Sequence, residues 1–460
     1  MTEHLGAATS LVIENVTVVD GTDGPPQPHA TVVVDGDRIA AVGPAAEVTA
    51  PPDAVVVDGS GGFLIPGLWD MHLHAFMDHG MADAMLPQLV AHGVTGIRDT
   101  HGEWAVVESV RSEIASGRRT GPRVMAPGKL LDGVPLVQPT GEPVETPEEG
   151  RAAVRARKEV GTDYVKVYSR LTREVYFAIA DECRRLGIPF AGHVPSSVTA
   201  AEASDAGQHC FEHLMGVEMA VSTDEDALRA AQNDATGNFE PPDAALIERT
   251  YDPKRAEALY ELLIRNRTWQ CPTLCVHRAY GEFVGTDYHA DPRFALLGSS
   301  TRQIWDWAAG MSDHPMFEGL KALKPVYVRI AGEMWRAGVP MVAGTDTPNP
   351  IVYPGSSLHE ELELLVGVGL PPLAALQAAT REAARFRGEL DRQGTVEAGK
   401  VADLVLLDAD PLADIRNTRS IAGVVLAGRY LDRAALDGLL EEAAEAAAGE
   451  TEGDAQEPGA

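Results

Sequence analysis

The sequence predicts an α/β fold, in which a (β/α)8 TIM-like barrel is joined to a small composite β-sandwich domain built by both ends of the chain. Three observations support this prediction. Runs of β-branched residues lie at both ends of the 460-residue chain, and short apolar runs alternate with helical runs between them. Polar residues follow several of the middle runs, which is where a barrel of parallel strands carries its chemistry.

The terminal segments alternate in the manner of half-buried strands. Near the start they read "LVIENVTVVDG", "ATVVVDGDRIAAVG" and "AVVVDGSGGFLIPG", and near the other end "GTVEAGKVADLVLLDADPL" and "IAGVVLAGRYL" repeat the pattern. Turns rich in Gly and Asp separate these runs. We therefore expect residues 1–66 and 389–436 to form one small β domain.

Residues 67–388 are predicted to form the barrel. After the opening "GLWDMHLH", its strands are "GVTGIRDT", "PRVMAPGKLL", "TDYVKVYS", "IPFAGHV", "HCFEHLM", "TWQCPTLCV" and "VPMVAGTD". Helical stretches such as "TREVYFAIADECRRLG" connect them, as expected for buried parallel strands. The connections are uneven in length, and the longest predict lid insertions at about 217–268 and 279–335, because long connections often bind substrate.

The charge balance restricts the partners. The chain holds 38 Lys and Arg against 68 Asp and Glu, and its net charge of -30 argues against nucleic acid and against anionic membrane surfaces. Residues 437–460 carry part of this excess and are predicted to be an acidic tail, in which a fraying helix end is followed by disorder. The start has no basic segment before an apolar core, and no later apolar run reaches the roughly eighteen residues that span a bilayer. We therefore expect a cytoplasmic protein. The sequence is compatible with a homo-oligomer and does not determine the oligomeric state.

Polar residues stand at the ends of five predicted strands, and they are His72, His74, Lys166, His193, His213 and Asp346. Residues two apart in a strand point to the same side, so His72 and His74 can both face the barrel interior. Imidazole and carboxylate groups together suit zinc or a similar divalent ion. Lys166 would be costly to bury as an ammonium group. An amine that adds carbon dioxide becomes a carbamate, an anion suited to bridging two metal ions; ion pairing of an unmodified Lys166 is the alternative.

The ordered set of motifs resembles the amidohydrolase superfamily of metal-dependent hydrolases. Within it, the sequence is similar to the subset related to imidazolonepropionase, to Xaa-Pro dipeptidases and to ochratoxinase-like carboxypeptidases. The resemblance covers about residues 10 to 435. It rests on "FLIPGLWDMHLH", "DYVKVYS", "FAGHV", "FEHL", "VAGTD" and "GTVEAGKVADLVLLDADPL".

The resemblance implies a binuclear metal centre that binds two divalent ions, zinc being the expected metal. His72, His74 and Asp346 would hold the more buried ion, and the other two histidines would hold the more exposed one. Lys166, carboxylated at its side-chain nitrogen by carbon dioxide, would bridge the ions together with a hydroxide that attacks the substrate carbonyl. Asp346 would be the catalytic residue that takes the proton and passes it to the leaving group.

Further residues near predicted strand ends are candidate substrate contacts, and they are Tyr168, His101, Arg98, Arg170, Lys129 and His277. Tyr168 lies two residues after Lys166 and so points the same way, although an aromatic ring there also suits core packing. For His101 the alternative role is a helix cap, and for either arginine it is a surface ion pair. Lys129 stands where the related dipeptidases carry a Gly-Gly-His type sequence, which is a departure from their pattern.

The predicted function is hydrolysis of an amide C–N bond in a small molecule, such as an N-acyl amino acid or a dipeptide, by an enzyme that is not a conventional protease. A lactone, ester or cyclic-amide hydrolase of the same fold is the first alternative. A mononuclear deaminase is the second, and Lys166 argues against it. A non-catalytic scaffold is the third, although such relatives typically lose ligands and none is missing here. The aromatic residues of the second lid insertion either line the mouth or pack the lid onto the barrel.

Overall fold

A computed structural model describes residues 10–233 and 241–454. The strands are β1 Leu11–Val18, β2 Gln27–Asp35, β3 Arg38–Pro44, β4 Val55–Asp58, β5 Phe63–Pro66, β6 Leu68–Leu73, β7 Val94–Asp99, β8 Arg123–Met125, β9 Leu131–Asp132, β10 Glu142–Pro143, β11 Val165–Val167, β12 Phe190–Gly192, β13 Cys210–Glu212, β14 Trp269–Cys271, β15 Leu404–Leu407, β16 Ile421–Leu426 and β17 Arg429–Asp432.

The α-helices are α1 His79–Ala91, α2 Trp104–Ala115, α3 Pro147–Val160, α4 Arg173–Leu186, α5 Ala200–Asp205, α6 Val217–Ala220, α7 Glu225–Asn233, α8 Ala244–Thr250, α9 Pro253–Asn266, α10 Leu274–Glu282, α11 Ser299–Gly310, α12 Pro315–Ala337, α13 Ser356–Gly367, α14 Pro372–Ala378, α15 Arg381–Phe386 and α16 Arg433–Asp454. Within the described ranges, no helix is both long and apolar enough to cross a membrane.

The two ends of the chain meet in one eight-stranded sheet, with the order β17-β16-β15-β5-β1-β2-β3 and with β4 on β1. The junction is the antiparallel pair β15 and β5, in which Leu406 lies opposite Leu64. Both residues belong to a buried cluster that also contains Ile13 and Val425. The apolar positions of the two distant segments therefore share one core, which explains why both ends alternate like strands.

The middle of the chain forms parallel strands, as its continuous apolar runs predict for strands buried on both faces. They fall into a three-stranded sheet, β6-β7-β8, and a six-stranded sheet, β10-β9-β11-β12-β13-β14. The isolated bridges Gln270 to Met341 and Leu73 to Thr347 link the far ends of these sheets through residues 341–347. The described residues thus form a mixed α/β fold with parallel sheets. The strand pairing within them does not by itself close these sheets into a barrel.

The predicted eighth strand, "VPMVAGTD", makes only those isolated bridges. The amides of Thr345 and Asp346 both donate to the His72 carbonyl, at 3.1 and 2.7 Å, so the alternating pattern of a ladder is lost there. Gly344 permits the close approach, since a Cβ on it would lie 2.7 Å from the His72 nitrogen. This segment is therefore held against β6 as an irregular backbone.

The predicted acidic tail at 437–460 begins as helix, because α16 continues through it to Asp454. Leu436, Leu439, Ala443 and Ala447 are buried along one side of it, and the helix lies against α1. Their spacing of three or four residues forms an apolar stripe that the excess of carboxylates masked in the sequence. The rest of the predicted tail, 455–460, is outside the described residues.

The first predicted lid range contains helices α6 to α9, and the second contains the end of α10, all of α11 and most of α12. Several aromatic residues of the second range pack together: Phe283, Tyr288, Trp305 and Phe317 belong to one buried cluster, here called the lid cluster, and Tyr280 and Phe294 pack against it. Trp307 lies outside this cluster, with 64 % of its surface exposed. Of the two readings of these aromatic residues, packing within the lid is what the contacts show.

Candidate metal centre

His72, His74 and Asp346 form a compact group at the end of β6. The Asp346 Oδ1 atom lies 3.3 Å from His72 Nε2 and 3.1 Å from His74 Nε2. One nitrogen of each histidine and one carboxylate oxygen are close enough together to share a metal ion. Although burial raises it, the imidazoles of His213 and His72 hold the pKa of Asp346 well below its usual range. Asp346 is therefore an ionised carboxylate, as a metal ligand must be.

His193 and His213 lie beside this group, at the ends of β12 and β13. The His213 ring centroid is 4.5 Å from that of His72 and 5.0 Å from that of His193. Their Nδ1 atoms contact hydroxyl groups, His193 with Ser169 at 2.8 Å and His213 with Thr273 at 2.7 Å. Burial lowers the pKa of both imidazoles well below the usual value, so they are neutral. Neutral imidazoles are the form that binds metal.

Lys166 lies on β11 with 1 % of its surface exposed. Among the described residues its Nζ atom has no hydrogen-bond partner. Burial lowers the pKa of Lys166, and the nearby Arg98 cation lowers it further. The carboxylates of Glu212 and Asp346 raise it in part. A buried amine that is neither paired nor solvated is costly. The residue therefore fits a modification that converts the amine into an anion facing metal ions, because a carbamate removes the buried cation.

Glu212 is a functional candidate that the sequence analysis did not single out. It is fully buried on β13, and its Oε2 atom accepts from His72 Nδ1 at 2.7 Å and from Arg98 Nη2 at 2.9 Å. Since an ionised carboxylate only accepts, His72 carries a proton on Nδ1, and Nε2, which faces Asp346, is the nitrogen that would bind an ion. Fixing a ligand's tautomer in this way is a common task of residues behind a metal.

The reason for missing Glu212 is geometric. In a regular strand Glu212 and the following His213 would point to opposite sides. His213 has φ of +60°, which ends that alternation, so both side chains reach the same cluster. The signal present in the sequence was the carboxylate directly before the ligand in "FEHL".

Arg98, predicted as a candidate substrate contact, is engaged within the protein. It is fully buried on β7, where Nε donates to the Met71 carbonyl at 2.5 Å and Nη2 donates to Glu212. A buried cation of this kind is stable only beside its counter-ion, and the strand places it beneath the histidines. Arg98 therefore supports Glu212, and through it His72.

Tyr168 and His277 reach the cluster through its histidines. The Tyr168 ring stacks on His193 at a centroid distance of 4.0 Å, and burial raises its pKa. The Nε2 atom of His277 donates to the His213 carbonyl at 3.1 Å, and its ring stacks on Tyr327 at 4.0 Å. Burial lowers the pKa of His277 to about 4. Both residues thus brace metal-ligand candidates.

The other predicted substrate contacts lie further from the cluster. The His101 ring is 6.4 Å from that of His74, and its two nitrogens contact the Leu130 amide and the Thr140 hydroxyl. Lys129 forms an ion pair of 2.8 Å with Glu103. The Arg170 amide donates to the Asp132 carboxylate at 2.6 Å. Glu103 precedes α2, so His101 does not have the capping position that was its alternative role.

A second group, His72, Glu212 and Cys271, is also close enough to hold an ion. The Arg98 guanidinium next to Glu212 opposes a further cation there. The group around Asp346 is therefore the better metal site of the two.

Glu361 on α13 is expected to make the stability of the folded protein depend on pH. Its Oε2 accepts from the Cys275 amide at 2.7 Å, and burial raises its pKa to about 8 from 4.5. The folded protein then holds a proton that the unfolded chain releases above pH 4.5, so the free energy of unfolding should fall between about pH 4.5 and 8. The limit is about 1.4 kcal/mol per pH unit. Glu361→Gln should flatten this slope in urea unfolding at pH 5.5, 6.5 and 7.5.

The control is Glu441→Gln on the exposed side of α16, which should keep the slope of the unchanged protein. An equal slope in Glu361→Gln and the unchanged protein would show that the Glu361 carboxyl is ionised when folded.

The comparisons with known proteins show the family of this chain. A model described as "Amidohydrolase family" matches residues 272–431. The imidazolonepropionase of Idiomarina loihiensis is 36 % identical over 439 residues, covering 88 % of this chain and 92 % of that protein. Shorter matches to two further imidazolonepropionases and an adenine deaminase have higher or similar identity, but the chain spans only 20 to 23 % of those proteins' lengths in them.

Solved structures show the same fold. A bottromycin amidohydrolase superposes with a TM-score of 0.72 at 26 % identity, covering 95 % of this chain and 90 % of that one. A Xaa-Pro dipeptidase with bound methionine superposes with a TM-score of 0.68 at 20 % identity, covering 92 % and 100 %. The resemblance drawn from the motifs is thereby confirmed, and this chain belongs to the amidohydrolase superfamily.

Proposed function

We propose that this chain is a binuclear metal-dependent hydrolase that cleaves an amide C–N bond of a small molecule such as an N-acyl amino acid or a dipeptide. The observation that carries the proposal is Lys166, a buried amine that has no hydrogen-bond partner among the residues the structure describes and that lies within electrostatic reach of Glu212 and Asp346. A mononuclear site needs no such residue. A carboxylated Lys166 between two ions accounts for both its burial and its position.

The proposed ligand set follows the grouping of the side chains. His72, His74 and Asp346 would hold one ion, His193 and His213 the other, and carboxylated Lys166 would bridge them. When bound, two divalent ions, zinc in our assignment, lower the pKa of a coordinated water and polarise a substrate carbonyl.

The chain's own residues supply the rest of the reaction. The Asp346 carboxylate accepts the proton released by the attacking water and returns it to the leaving nitrogen. Glu212 and Arg98 keep the His72 ring in one tautomer and orientation. Tyr168, stacked on His193, is our assignment for a donor to a substrate oxygen.

The wider architecture of the proposal is a barrel formed by residues 67–388 and a β-sandwich-like domain formed by 1–66 with 389–436. The bridges at Met341 and Thr347, which link the two parallel sheets, support closure of the barrel. The helices within 217–268 and 279–335 would cover its mouth. We propose a cytoplasmic enzyme that acts on small molecules, and the net charge of -30 argues against nucleic-acid and anionic-membrane partners.

A cyclic amide is the second candidate substrate. The imidazolonepropionase of Idiomarina loihiensis, 36 % identical over 92 % of its length, favours it. Ring opening of a cyclic amide, lactone or ester uses the same attack on a carbonyl, so the metal site does not distinguish these bonds. Lys166 argues against a mononuclear deaminase, which needs no bridging residue. The complete set of proposed ligands argues against a non-catalytic scaffold.

The test is a substrate screen on protein loaded with zinc, manganese or cobalt. Matched panels would contain N-acyl amino acids, dipeptides, lactones, imidazolonepropionate and adenine. We expect hydrolysis of linear amides above the other classes. Ring opening alone would favour the cyclic-amide candidate, and ammonia release from adenine alone would contradict the proposal.

A further inference from the structure

The segment from Asp346 to Tyr353, here called the aspartate loop, joins the metal centre to the lid cluster. It contains two residues in the left-handed region, Asp346 with φ of +61° and Ile351 with φ of +54°. This region is unfavourable for residues other than glycine, and most of all for a β-branched one. Such conformations persist where surrounding contacts hold them in place, and they concentrate at active sites.

One set of contacts runs through Asn349. Its backbone amide and its Nδ2 atom both donate to the Asp346 carbonyl, at 3.1 and 2.7 Å. Its Oδ1 atom accepts from the Tyr280 hydroxyl at 2.8 Å. Tyr280 lies on α10 and packs against the lid cluster. Helix α10 therefore positions the Asn349 side chain through Tyr280, and Asn349 in turn holds the backbone of Asp346, the proposed catalytic residue.

A second contact comes from another lid helix. Trp305 on α11 is fully buried, and its Nε1 atom donates to the Pro348 carbonyl at 2.7 Å. Its ring meets Tyr353 edge-on at 5.0 Å. An indole nitrogen only donates, so this contact fixes the direction of the Pro348 carbonyl. The aspartate loop is thus fastened at both Pro348 and Asn349.

We propose that Tyr280 and Trp305 are positioning residues, through which the lid helices lock the aspartate loop and aim the Asp346 carboxylate at the metal centre. The inference rests on the proposed function, because it assigns a task to Asp346. It connects the lid to the chemistry: loosening either contact frees the backbone that turns Asp346 towards His72 and His74.

The first test is Tyr280→Phe, which removes one hydroxyl and keeps the ring. Its matched control is Tyr288→Phe, since the Tyr288 hydroxyl bonds Asp306 within the lid at 2.9 Å. For Tyr280→Phe we expect kcat to fall by about three- to tenfold with KM unchanged, the range for one lost hydrogen bond. We also expect faster hydrogen exchange of residues 346–353 in metal-free protein and an altered absorption spectrum after cobalt loading. Tyr288→Phe should match the unchanged protein in all three.

A double variant tests whether Tyr280 acts through Asn349. If it does, Tyr280→Phe combined with Asn349→Ala should be no slower than Asn349→Ala alone. Losses that multiply would contradict this route.

Trp305→Phe provides an independent test of the second contact, with exposed Trp307→Phe on the same helix as its control. If hydrogen exchange of residues 346–353 is unchanged in both Tyr280→Phe and Trp305→Phe, the proposal that the lid helices hold the aspartate loop is wrong. The exchange measurement needs neither metal nor substrate. A protein that hydrolyses nothing would therefore refute the proposed function, while exchange would still decide whether the lid holds the loop.

Discussion

Replacing Lys166 with alanine is expected to lower the metal content from two ions per chain to one and nearly abolish hydrolysis. Removing the bridge leaves the second ion with only His193 and His213 from the chain. Loss of an outer partner of a metal already costs about 10- to 100-fold, and the loss of a direct ligand should exceed about 100-fold in kcat. Metal analysis after dialysis and steady-state rates measure the two effects.

The control for this experiment is Lys158→Ala, which removes an exposed lysine from α3 and should bind two ions. Carbon dioxide gives a second check. Unchanged protein reconstituted in buffer free of carbon dioxide should bind less metal until bicarbonate is added, whereas Lys166→Ala should not respond. One ion per chain in the unchanged protein, with no change in the variant, would contradict the binuclear centre.

Replacing Asp346 with asparagine should reduce kcat by about 10²- to 10⁴-fold, the usual contribution of a positioned acid–base group. The amide keeps the size of the side chain and one oxygen near His72 and His74, but it cannot take up the proton. Steady-state kinetics would show the loss in kcat. Metal analysis of the same sample would show whether the ions remain.

The control for Asp346→Asn is Asp408→Asn, which changes an exposed carboxylate after β15 and should leave both ions and rate intact. An Asp346→Asn protein that retains both ions and the full rate would remove Asp346 from the reaction. A protein that loses both ions would make Asp346 a ligand without separating its role in proton transfer.

Much of the fold could be predicted from local patterns. The β-branched runs at the two ends and the apolar runs between them correspond to strands because burial on one face or on both sets these periods. The six proposed ligands were found because each follows an apolar run, and parallel strands place such residues at one edge. The structure brings His72, His74, His213 and Asp346 within a few ångströms of one another.

The rest depended on backbone geometry and on contacts between distant segments. Glu212 was hidden because the positive φ of His213 interrupts strand alternation. Arg98 looked like a residue at a strand end, and only its distant partner Glu212 reveals that it is buried. Helix α16 runs further than the fraying helix end that the sequence predicted, because its carboxylates obscured the apolar stripe that packs on α1.

The pairing of β5 with β15 has a consequence for biosynthesis. The two strands are separated by about three quarters of the chain, and β6, which carries His72, begins two residues after the end of β5. During translation β5 has an unpaired edge until the last part of the chain leaves the ribosome. Pairings between such distant segments form slowly, and an open strand edge invites association with other chains. Nascent chains that stall before residue 404 should therefore need chaperones, since the strand beside the metal ligands still lacks its neighbour.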